Sequence, residues 1–312
     1  MAMNQPDPDG LSSRLIHFTP LRYPGGKGRL APFVKAIIQK NRLMDGEYVE
    51  PYAGGAAIAF ELLLHEYVSH VHINDISRPV YAFWKSALDD TDRLSRLIRD
   101  TRLTMKVRDK QKNILTHQGD YDDLALGFAM FFLNRTNRSG ILNAGVIGGR
   151  DQSGLWKMDA RYNAAELARR IAAIARMRTR ISLTQLDALR FLRQGCKRWP
   201  EKTLIYCDPP YYVKGRDLYY DYYEHEDHER VAALVTQIVR QKWIVSYDDV
   251  KQVRDLYAES ERVKYSIGYS ARSSRQGAEI MFFSQSLRVP QVIGAIKQIK
   301  ELRSAAKLRR TA

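Results

Sequence analysis

The stretch YVEPYAGGAAIAFELLLHEYVSHVHIND, residues 48–75, decides the predicted fold. It begins with an apolar strand that runs into a turn of small residues around Gly54 and Gly55. A helical pattern follows the turn, and a second strand ends on Asp75. A strand, a small-residue turn, a helix and another strand in this order are typical of a parallel βαβ unit. This stretch therefore predicts the start of an α/β fold.

Further apolar runs along the chain extend this pattern. They are predicted to be strands at residues 181–183, 203–207, 243–247 and 279–283. Strands that alternate with amphipathic helices indicate a mostly parallel sheet covered by helices. In such sheets ligands bind where the carboxyl ends of the strands open into loops. We therefore expect the functional site at that edge of the sheet.

The middle of the chain differs, because it has helical periodicity without a convincing strand and then a long polar, glycine-rich stretch. We interpret it as an inserted, mostly helical module with a loop rich in hydrogen-bond donors. The basic end of the chain is predicted to be a helix. The predicted organisation is a loose arm at 1–17, a discontinuous α/β domain at 18–80 and 168–296, the insertion at 81–167, and a basic tail at 297–312.

The charge indicates a polyanionic partner. Of 312 residues, 50 are Lys or Arg and 35 are Asp or Glu, which gives a formal charge of +15. Such an excess favours nucleic acid, although a soluble basic protein is the alternative.

Cys196 and Cys207 lack metal-ligand spacing, and no apolar run reaches the length of a membrane span. We expect a cytoplasmic protein without a secretion signal, metal or membrane association.

Two glycine-containing motifs predict ligand contacts. A turn between strand and helix presents backbone N–H groups, and an acidic residue about 20 positions later, here Asp75, suits ribose hydroxyls. The Gly-x-Gly-x-x-Gly spacing of nicotinamide enzymes is absent, so an adenosine ligand without a pyrophosphate fits better. The second motif ends on Lys27, which can neutralise a carboxylate or phosphate; an ordinary Gly-Gly turn is the alternative.

The most specific motif is Asp-Pro-Pro-Tyr at residues 208–211, directly after an apolar strand. Two prolines stiffen the loop and remove two N–H donors, which leaves carbonyls as acceptors. An aromatic amino group is a poor nucleophile because its lone pair is delocalised into the ring. A carboxylate and a carbonyl that accept its two N–H groups would direct the lone pair toward an electrophilic methyl. Tyr211 offers a face on which a flipped base can stack.

Together these motifs resemble the Dam-like D12 class of adenine-N6 DNA methyltransferases over about residues 18–290. The resemblance implies a Rossmann-like S-adenosylmethionine-dependent methyltransferase sheet with an inserted, mostly helical target-recognition domain. It implies S-adenosylmethionine as cofactor and double-stranded DNA as partner, with direct transfer of the methyl group to a flipped-out adenine. Two departures are an aromatic Tyr23 where Trp is common, and the order Gly54-Gly55-Ala56 where Gly-Ala-Gly is commoner.

The resemblance also assigns roles to residues. The implied catalytic residues are Asp208, Pro209, Pro210 and Tyr211. The implied cofactor-binding residues are Tyr23, Gly26, Lys27, Glu50, Pro51, Gly54, Gly55, Asp75, Asp187 and Asp208.

DNA contacts are expected from the insertion, where residues 134–140 are similar to a family Asn-Arg-x-x-x-x-Gly element, and from a late loop. The candidates are Asn134, Arg135, Asn137, Arg138, Arg150, Arg272 and Arg275. Arg pairs with guanine and Asn with adenine in the major groove. Three alternatives stay open: a cytosine-N4 methyltransferase, an RNA amino methyltransferase, or an inactive DNA-binding relative. We expect a monomer, and the sequence leaves open whether a restriction or defence-system partner exists.

Overall fold

A computed structural model describes residues 18–22, 27–213, 223–237, 240–267, 279–290 and 296–302 of the chain. The strands are β1 (Gly46–Glu50), β2 (Val68–Asn74), β3 (Ile181–Thr184), β4 (Thr203–Cys207), β5 (Lys242–Asp248), β6 (Glu261–Ile267), β7 (Glu279–Phe283) and β8 (Ile296–Leu302). They form one sheet in the order β3-β2-β1-β4-β5-β7-β6-β8. The pairs from β3 to β5 are parallel, and β7, β6 and β8 join as antiparallel neighbours. The predicted α/β class with a mostly parallel sheet is confirmed.

The described α-helices are α1 (Ala31–Lys40), α2 (Ala57–Leu64), α3 (Arg78–Asp89), α4 (Thr91–Asp100), α5 (Met105–Thr116), α6 (Asp123–Thr136), α7 (Ala164–Ala175), α8 (Ala188–Gly195), α9 (His225–Gln237) and α10 (Lys251–Leu256). Short polar side chains begin several of them. Asp122 accepts the Ala125 N–H at the start of α6, and Asn163 accepts the Glu166 N–H at the start of α7. Such caps satisfy N–H groups that have no partner within the helix.

Side chains on both faces of the sheet are buried. Along β4, Leu204 and Tyr206 belong to one hydrophobic core, whereas Ile205 and Cys207 belong to the other. Helices α1 to α7 contribute to the first core, and α8 to α10 to the second. Because side chains alternate along a strand, this division explains why β4 reads as a continuous apolar run in the sequence.

The segment between β2 and β3 is mostly helical, and its apolar side chains lie in the same core as the sheet. Its central helix α6 packs closely against α3 at Gly127, where an added Cβ would lie 2.6 Å from the Ala82 carbonyl oxygen. Phe83 of α3 stacks on Phe131 of α6, with ring centroids 5.7 Å apart. These helices thus continue the layer that covers this face of the sheet.

The helix predicted for the basic end of the chain is wrong where the structure describes it. Residues 296–302 form β8, which pairs antiparallel with β6. The ladder gives the backbone of β6 hydrogen-bond partners on its outer side, an environment that local charge patterning does not reveal. Residues 303–312 and the predicted arm at 1–17 lie outside the described residues.

Candidate active site

A cavity of about 630 Å³ opens at the carboxyl ends of the central parallel strands. Its walls come from the loops after β1, β2, β3 and β4, together with parts of α3, α6 and α7. This is the edge at which ligands bind in open α/β sheets. The volume lies within the range of small-molecule and cofactor sites.

One buried side chain, Asn74 at the end of β2, fastens three of these loops together. Its Nδ2 donates to the carbonyl of Pro51, at 3.0 Å, and to that of Leu186, at 2.9 Å. Its Oδ1 accepts hydrogen bonds from the Thr184 hydroxyl and the Leu186 N–H. A single amide therefore sets the spacing of the strand ends that line the cavity.

The small-residue turn after β1 is held by Asp75. The Gly54 N–H donates to Asp75 Oδ2 at 2.8 Å, and the Ser77 N–H donates to Oδ1 at 3.0 Å. Gly54 has a φ of 46°, and Ala56, with a φ of 45°, also lies in the left-handed region at the start of α2. The Trp84 indole N–H donates to the Gly54 carbonyl at 2.8 Å. Gly54, Gly55 and Asp75 thus meet at one wall of the cavity.

Glu50, at the end of β1, is buried beneath this turn. The Tyr48 hydroxyl donates to Glu50 Oε1 at 3.1 Å, and the Ala59 N–H donates to the same oxygen at 3.2 Å. Burial raises the pKa of Glu50 to about 8, although both hydrogen bonds act to lower it. The Glu50 carboxyl therefore binds its proton near neutral pH.

Asp208 follows β4 and enters the cavity. Its Oδ1 accepts the Ser246 hydroxyl at 2.6 Å and lies 3.2 Å from Lys27 Nζ. The Ser246 Oγ also lies 2.9 Å from the Tyr206 hydroxyl. Burial raises the pKa of Asp208, and attraction to Lys27 opposes the rise. Both partners that the described residues provide contact Oδ1, which leaves Oδ2 for an external donor.

Lys27 pairs with two carboxylates rather than pointing only toward a cofactor. Its Nζ lies 2.7 Å from Glu279 Oε2 and 3.4 Å from the Tyr265 hydroxyl. Although burial acts to lower it, the pKa of Lys27 is raised well above its usual value by attraction to Asp208, Tyr265 and Glu279. A buried ammonium between two acids keeps its charge, so Lys27 compensates the negative charge beside Asp208.

Glu279, at the start of β7, joins this group to the loop after β4. It is 4% exposed, accepts the Tyr211 hydroxyl at 3.0 Å and accepts the Tyr265 hydroxyl at 2.6 Å. Pro210 lines the cavity, whereas the Tyr211 side chain is buried beside Lys27, whose Nζ lies 5.4 Å from the ring centroid. In this conformation the Tyr211 ring is not presented as a stacking face.

Asp187, implied by the resemblance to bind the cofactor, caps the N-terminus of α8. Its Oδ1 accepts the Arg190 N–H at 3.0 Å. Its neighbours Leu186 and Ala188 line the cavity. The structure thus places Asp187 next to the cavity wall with a structural role at the helix start.

The residues expected to contact DNA differ in exposure. Asn134 and Asn137 are fully buried, and their amides bond internally, Asn134 to both backbone groups of Arg22 and Asn137 to Arg108. Neither amide is available to a base, so the structure corrects this expectation. Arg138 is exposed, and Arg150 is exposed and forms a bidentate pair with Asp109 at 3.2 and 2.9 Å.

Arg135 is partly buried in the cavity wall. Its Nε donates to the Arg161 carbonyl at 2.7 Å. Tyr23, Gly26, Arg272 and Arg275 lie outside the described residues.

Sequence reasoning missed Glu279, Tyr265 and Tyr206 as parts of the site. Glu279 was visible only as the first residue of a predicted strand. A glutamate before four apolar residues is unusual for a fully buried strand, and that signal pointed to a special role.

Comparison with known proteins identifies the family. The family model for the D12 class N6 adenine-specific DNA methyltransferases matches residues 23–268, most of the chain. The chain belongs to this D12 class. The match spans the turn after β1, Asp75 and the loop after β4, and so it includes these parts of the cavity wall of this methyltransferase.

A curated relative is the Type II methyltransferase M.MjaIII of Methanocaldococcus jannaschii. It is 30% identical over 140 residues, which cover 39% of this chain and 46% of the relative. The D12 chain thus matches less than half of that relative's length.

Two solved structures match the chain at low identity and low TM-score. A putative class I S-adenosylmethionine-dependent methyltransferase of Listeria monocytogenes is 11% identical, covering 91% of this chain and 68% of its own, with a TM-score of 0.37. An rRNA methyltransferase, aviRa, of Streptomyces viridochromogenes is 13% identical, covering 87% and 91%, with a TM-score of 0.35. No helix in the described part of this D12 methyltransferase has the length and apolar character to span a bilayer.

The residues of the cavity fit S-adenosylmethionine. The Asp75 carboxylate next to an open glycine turn suits ribose hydroxyls, and the apolar side chains of Ile76 and Leu186 suit a purine ring. Asp208, in the same cavity, offers a negative charge for a sulfonium. Glu50, Pro51, Gly54, Gly55 and Asp75 are the residues that would hold the adenosine and amino-acid parts.

Proposed function

We propose that the chain transfers a methyl group from S-adenosylmethionine to the N6 amino group of an adenine flipped out of double-stranded DNA at a specific sequence. The observation that carries the proposal is the position of Asp208. Its carboxylate lies in one cavity with Gly54 and Asp75, and its Oδ2 is left for an external N–H donor.

The stiff loop after Asp208 complements this acceptor. Pro209 and Pro210 have no N–H groups, so this part of the backbone can only accept hydrogen bonds. Asp208 Oδ2 would accept one N6 hydrogen and the Pro209 carbonyl the other. Holding both hydrogens out of the ring plane localises the nitrogen lone pair, which then points away from the two acceptors.

The remaining residues control charge at this position. When bound, S-adenosylmethionine supplies an electrophilic methyl group on a positively charged sulfur. Attack on that methyl would leave positive charge and one surplus proton on the N6 nitrogen, and the donor would depart as a neutral thioether. The Asp208 carboxylate would stabilise that charge and accept the proton, and Lys27 and Ser246 hold its other oxygen in place.

Selection of the DNA sequence is assigned to the surface of the insertion. Arg138 and Arg150 are exposed, and so are the large side chains of Leu155 and Trp156 in the same segment of the chain. Arginine suits guanine edges and phosphates, and exposed aromatic rings suit stacking on bases. We assign the DNA-facing role to this surface, in place of the buried Asn134 and Asn137.

The test is a methylation assay with duplex DNA, RNA and S-adenosylmethionine that carries an isotopically labelled methyl group. Nucleosides from the digested products are identified by mass spectrometry. Labelled N6-methyladenine from duplex DNA supports the proposal, whereas label only in N4-methylcytosine or in RNA contradicts it.

Matched variants show whether the chemistry depends on the proposed carboxylate. Asp208→Ala should lose at least about 100-fold in rate, as expected for removal of a group aimed at transition-state charge. Asp255→Ala is the control, because Asp255 is an exposed carboxylate paired with Lys251 on α10. Unchanged methylation by Asp208→Ala would exclude the proposed role.

A further inference from the structure

Arginines gather in one part of the cavity wall. Arg22, Arg135 and Arg170 all line the cavity. The carbonyl of a fourth arginine, Arg161, accepts a hydrogen bond from Arg135. Burial and repulsion from Arg22, Arg170 and Arg161 lower the pKa of Arg135 to about 9. The pKa of Arg22 is also lowered, by burial and by repulsion from Arg161. Like charges are thus held together where water screens them poorly.

The partners of these arginines are mainly backbone carbonyls. Arg22 Nη1 donates to the Asn137 carbonyl at 3.3 Å, and Arg135 Nε donates to the Arg161 carbonyl at 2.7 Å. Arg170 Nη1 donates to the Thr19 carbonyl at 3.4 Å, and its Nε donates to Glu166 at 2.9 Å. Within the described part of the chain, no carboxylate forms an ion pair with Arg22 or Arg135. The carbonyls orient the guanidinium groups of Arg22 and Arg135 without compensating their charge, whereas the charge of Arg170 is balanced in part by Glu166.

Arg170 is linked to the small-residue turn through Thr19. The Thr19 hydroxyl donates to the Gly55 carbonyl at 2.5 Å, and the Thr19 carbonyl accepts Arg170. The group therefore lies beside the part of the cavity assigned to the methyl donor. Planar guanidinium groups bind carboxylates and phosphates through two parallel hydrogen bonds, and they do so most strongly where water is excluded.

We propose that Arg22, Arg135 and Arg170 form an anion-binding site that takes a carboxylate or a phosphate group entering the cavity. The inference rests on the proposed function, which brings two such groups here: the carboxylate of the donor's amino-acid part and a phosphate beside the flipped nucleotide. Under this assignment Arg135 binds an anion inside the cavity and does not read a base edge.

The first experiment compares two nucleoside ligands by titration calorimetry. S-adenosylhomocysteine has the amino-acid carboxylate, and 5′-methylthioadenosine has the same thioadenosine without it. If the site takes the donor's carboxylate, Arg22→Gln and Arg170→Gln each weaken S-adenosylhomocysteine about tenfold or more. They leave 5′-methylthioadenosine within about twofold.

The second experiment examines the phosphate with a short duplex DNA at several salt concentrations. If the site takes a phosphate, both nucleoside ligands bind each variant as they bind the unmodified protein. The slope of log Kd against log salt concentration then falls by about 1 for each phosphate that the variant no longer neutralises. Either result supports an anion site and identifies the anion as the donor's carboxylate or a DNA phosphate. If the variants change neither the affinity for S-adenosylhomocysteine nor the salt dependence of DNA binding, the proposal is overturned.

Arg169→Gln is the matched control. Arg169 is the neighbour of Arg170 on α7, pairs with the same Glu166 and is exposed. Thermal unfolding of each variant checks that the fold is intact, and Arg22→Gln tests the site independently of the Glu166 pair. Calorimetry does not depend on methyl transfer, so the arginine result stands even if the methylation assay fails.

Discussion

The Tyr211 hydroxyl donates a 3.0 Å hydrogen bond to Glu279 Oε1 across 68 residues of sequence. It connects the loop after β4 to the antiparallel strand β7. The same carboxylate binds Lys27, which also contacts Asp208. The position of the proposed amino-group acceptor thus depends on a residue from the far end of the chain.

Removal of this hydroxyl tests the connection. Tyr211→Phe loses one hydrogen bond to a buried carboxylate, so we expect the free energy of unfolding to fall by about 1–3 kcal/mol. The rate of methyl transfer should fall while the affinity for S-adenosylhomocysteine changes little. Urea unfolding and steady-state kinetics measure the two effects. Tyr162→Phe is the control, because the buried Tyr162 hydroxyl has no hydrogen-bond partner among the described residues; an equal loss of stability in both variants would contradict the prediction.

Ser246→Ala should move the pH dependence of the reaction. The Ser246 hydroxyl lowers the pKa of Asp208, so its removal raises that pKa. The carboxylate form then predominates only at higher pH, and the acid limb of the kcat/KM profile shifts upward in pH. Profiles from about pH 5 to 9 measure the shift. A drop in rate without any displacement of the acid limb would show that Ser246 acts through packing alone.

Glu50→Gln should change how stability varies with pH. The pKa of Glu50 is about 8 in the folded protein against an ordinary value of 4.5, so the folded state holds a proton that the unfolded state releases. Stability attributable to Glu50 is therefore fully present below pH 4.5 and is lost as pH rises toward 8.

Glutamine does not titrate, so the stability of the Glu50→Gln variant has no such dependence on pH at this position. The stability difference between Glu50→Gln and the unmodified protein should grow in favour of the variant by up to about 1.4 kcal/mol per pH unit across this window. Urea unfolding at several pH values measures it, and parallel pH dependence of the two proteins would refute the raised pKa.

Trp156 tests the proposed DNA-facing surface. Its side chain is 61% exposed and that of Leu155 is 87% exposed, so truncation costs little folding energy. Trp156→Ala should weaken duplex DNA binding about tenfold, in line with about 1–3 kcal/mol for loss of one base stack. Trp156→Phe keeps an aromatic face and should retain most of the affinity. Fluorescence anisotropy of a labelled duplex measures both, and equal affinity of all three proteins would assign the surface another role.

Much of the fold follows from local patterns. Strands β1 to β5 and β7 were predicted, because continuous apolar runs mark buried strands. Strand β6 was missed although Val263 and Tyr265 alternate with charged residues, a pattern typical of a strand with one buried face. Strand β8 was mistaken for a helix because its partner, β6, determines its conformation.

The site was predictable only where one motif contains it. Asp208, Gly54 and Asp75 were identified and lie in one cavity, but their functional roles remain proposals. Glu279 could not be placed, because its contact with Tyr265 depends on the pairing of β6 with β7. The burial of Asn134 likewise follows from its contact with Arg22, 112 residues earlier, which no local pattern indicates.

The amide of Asn74 also bears on the thermodynamics of ligand binding. Because its four hydrogen bonds fix the ends of three strands within the folded protein, an arriving nucleoside does not have to order those loops. These loops lose their conformational entropy during folding, so their ordering subtracts little from the free energy of ligand binding. This part of the cavity is preorganised, and the affinity of a ligand there should depend on direct contacts with it.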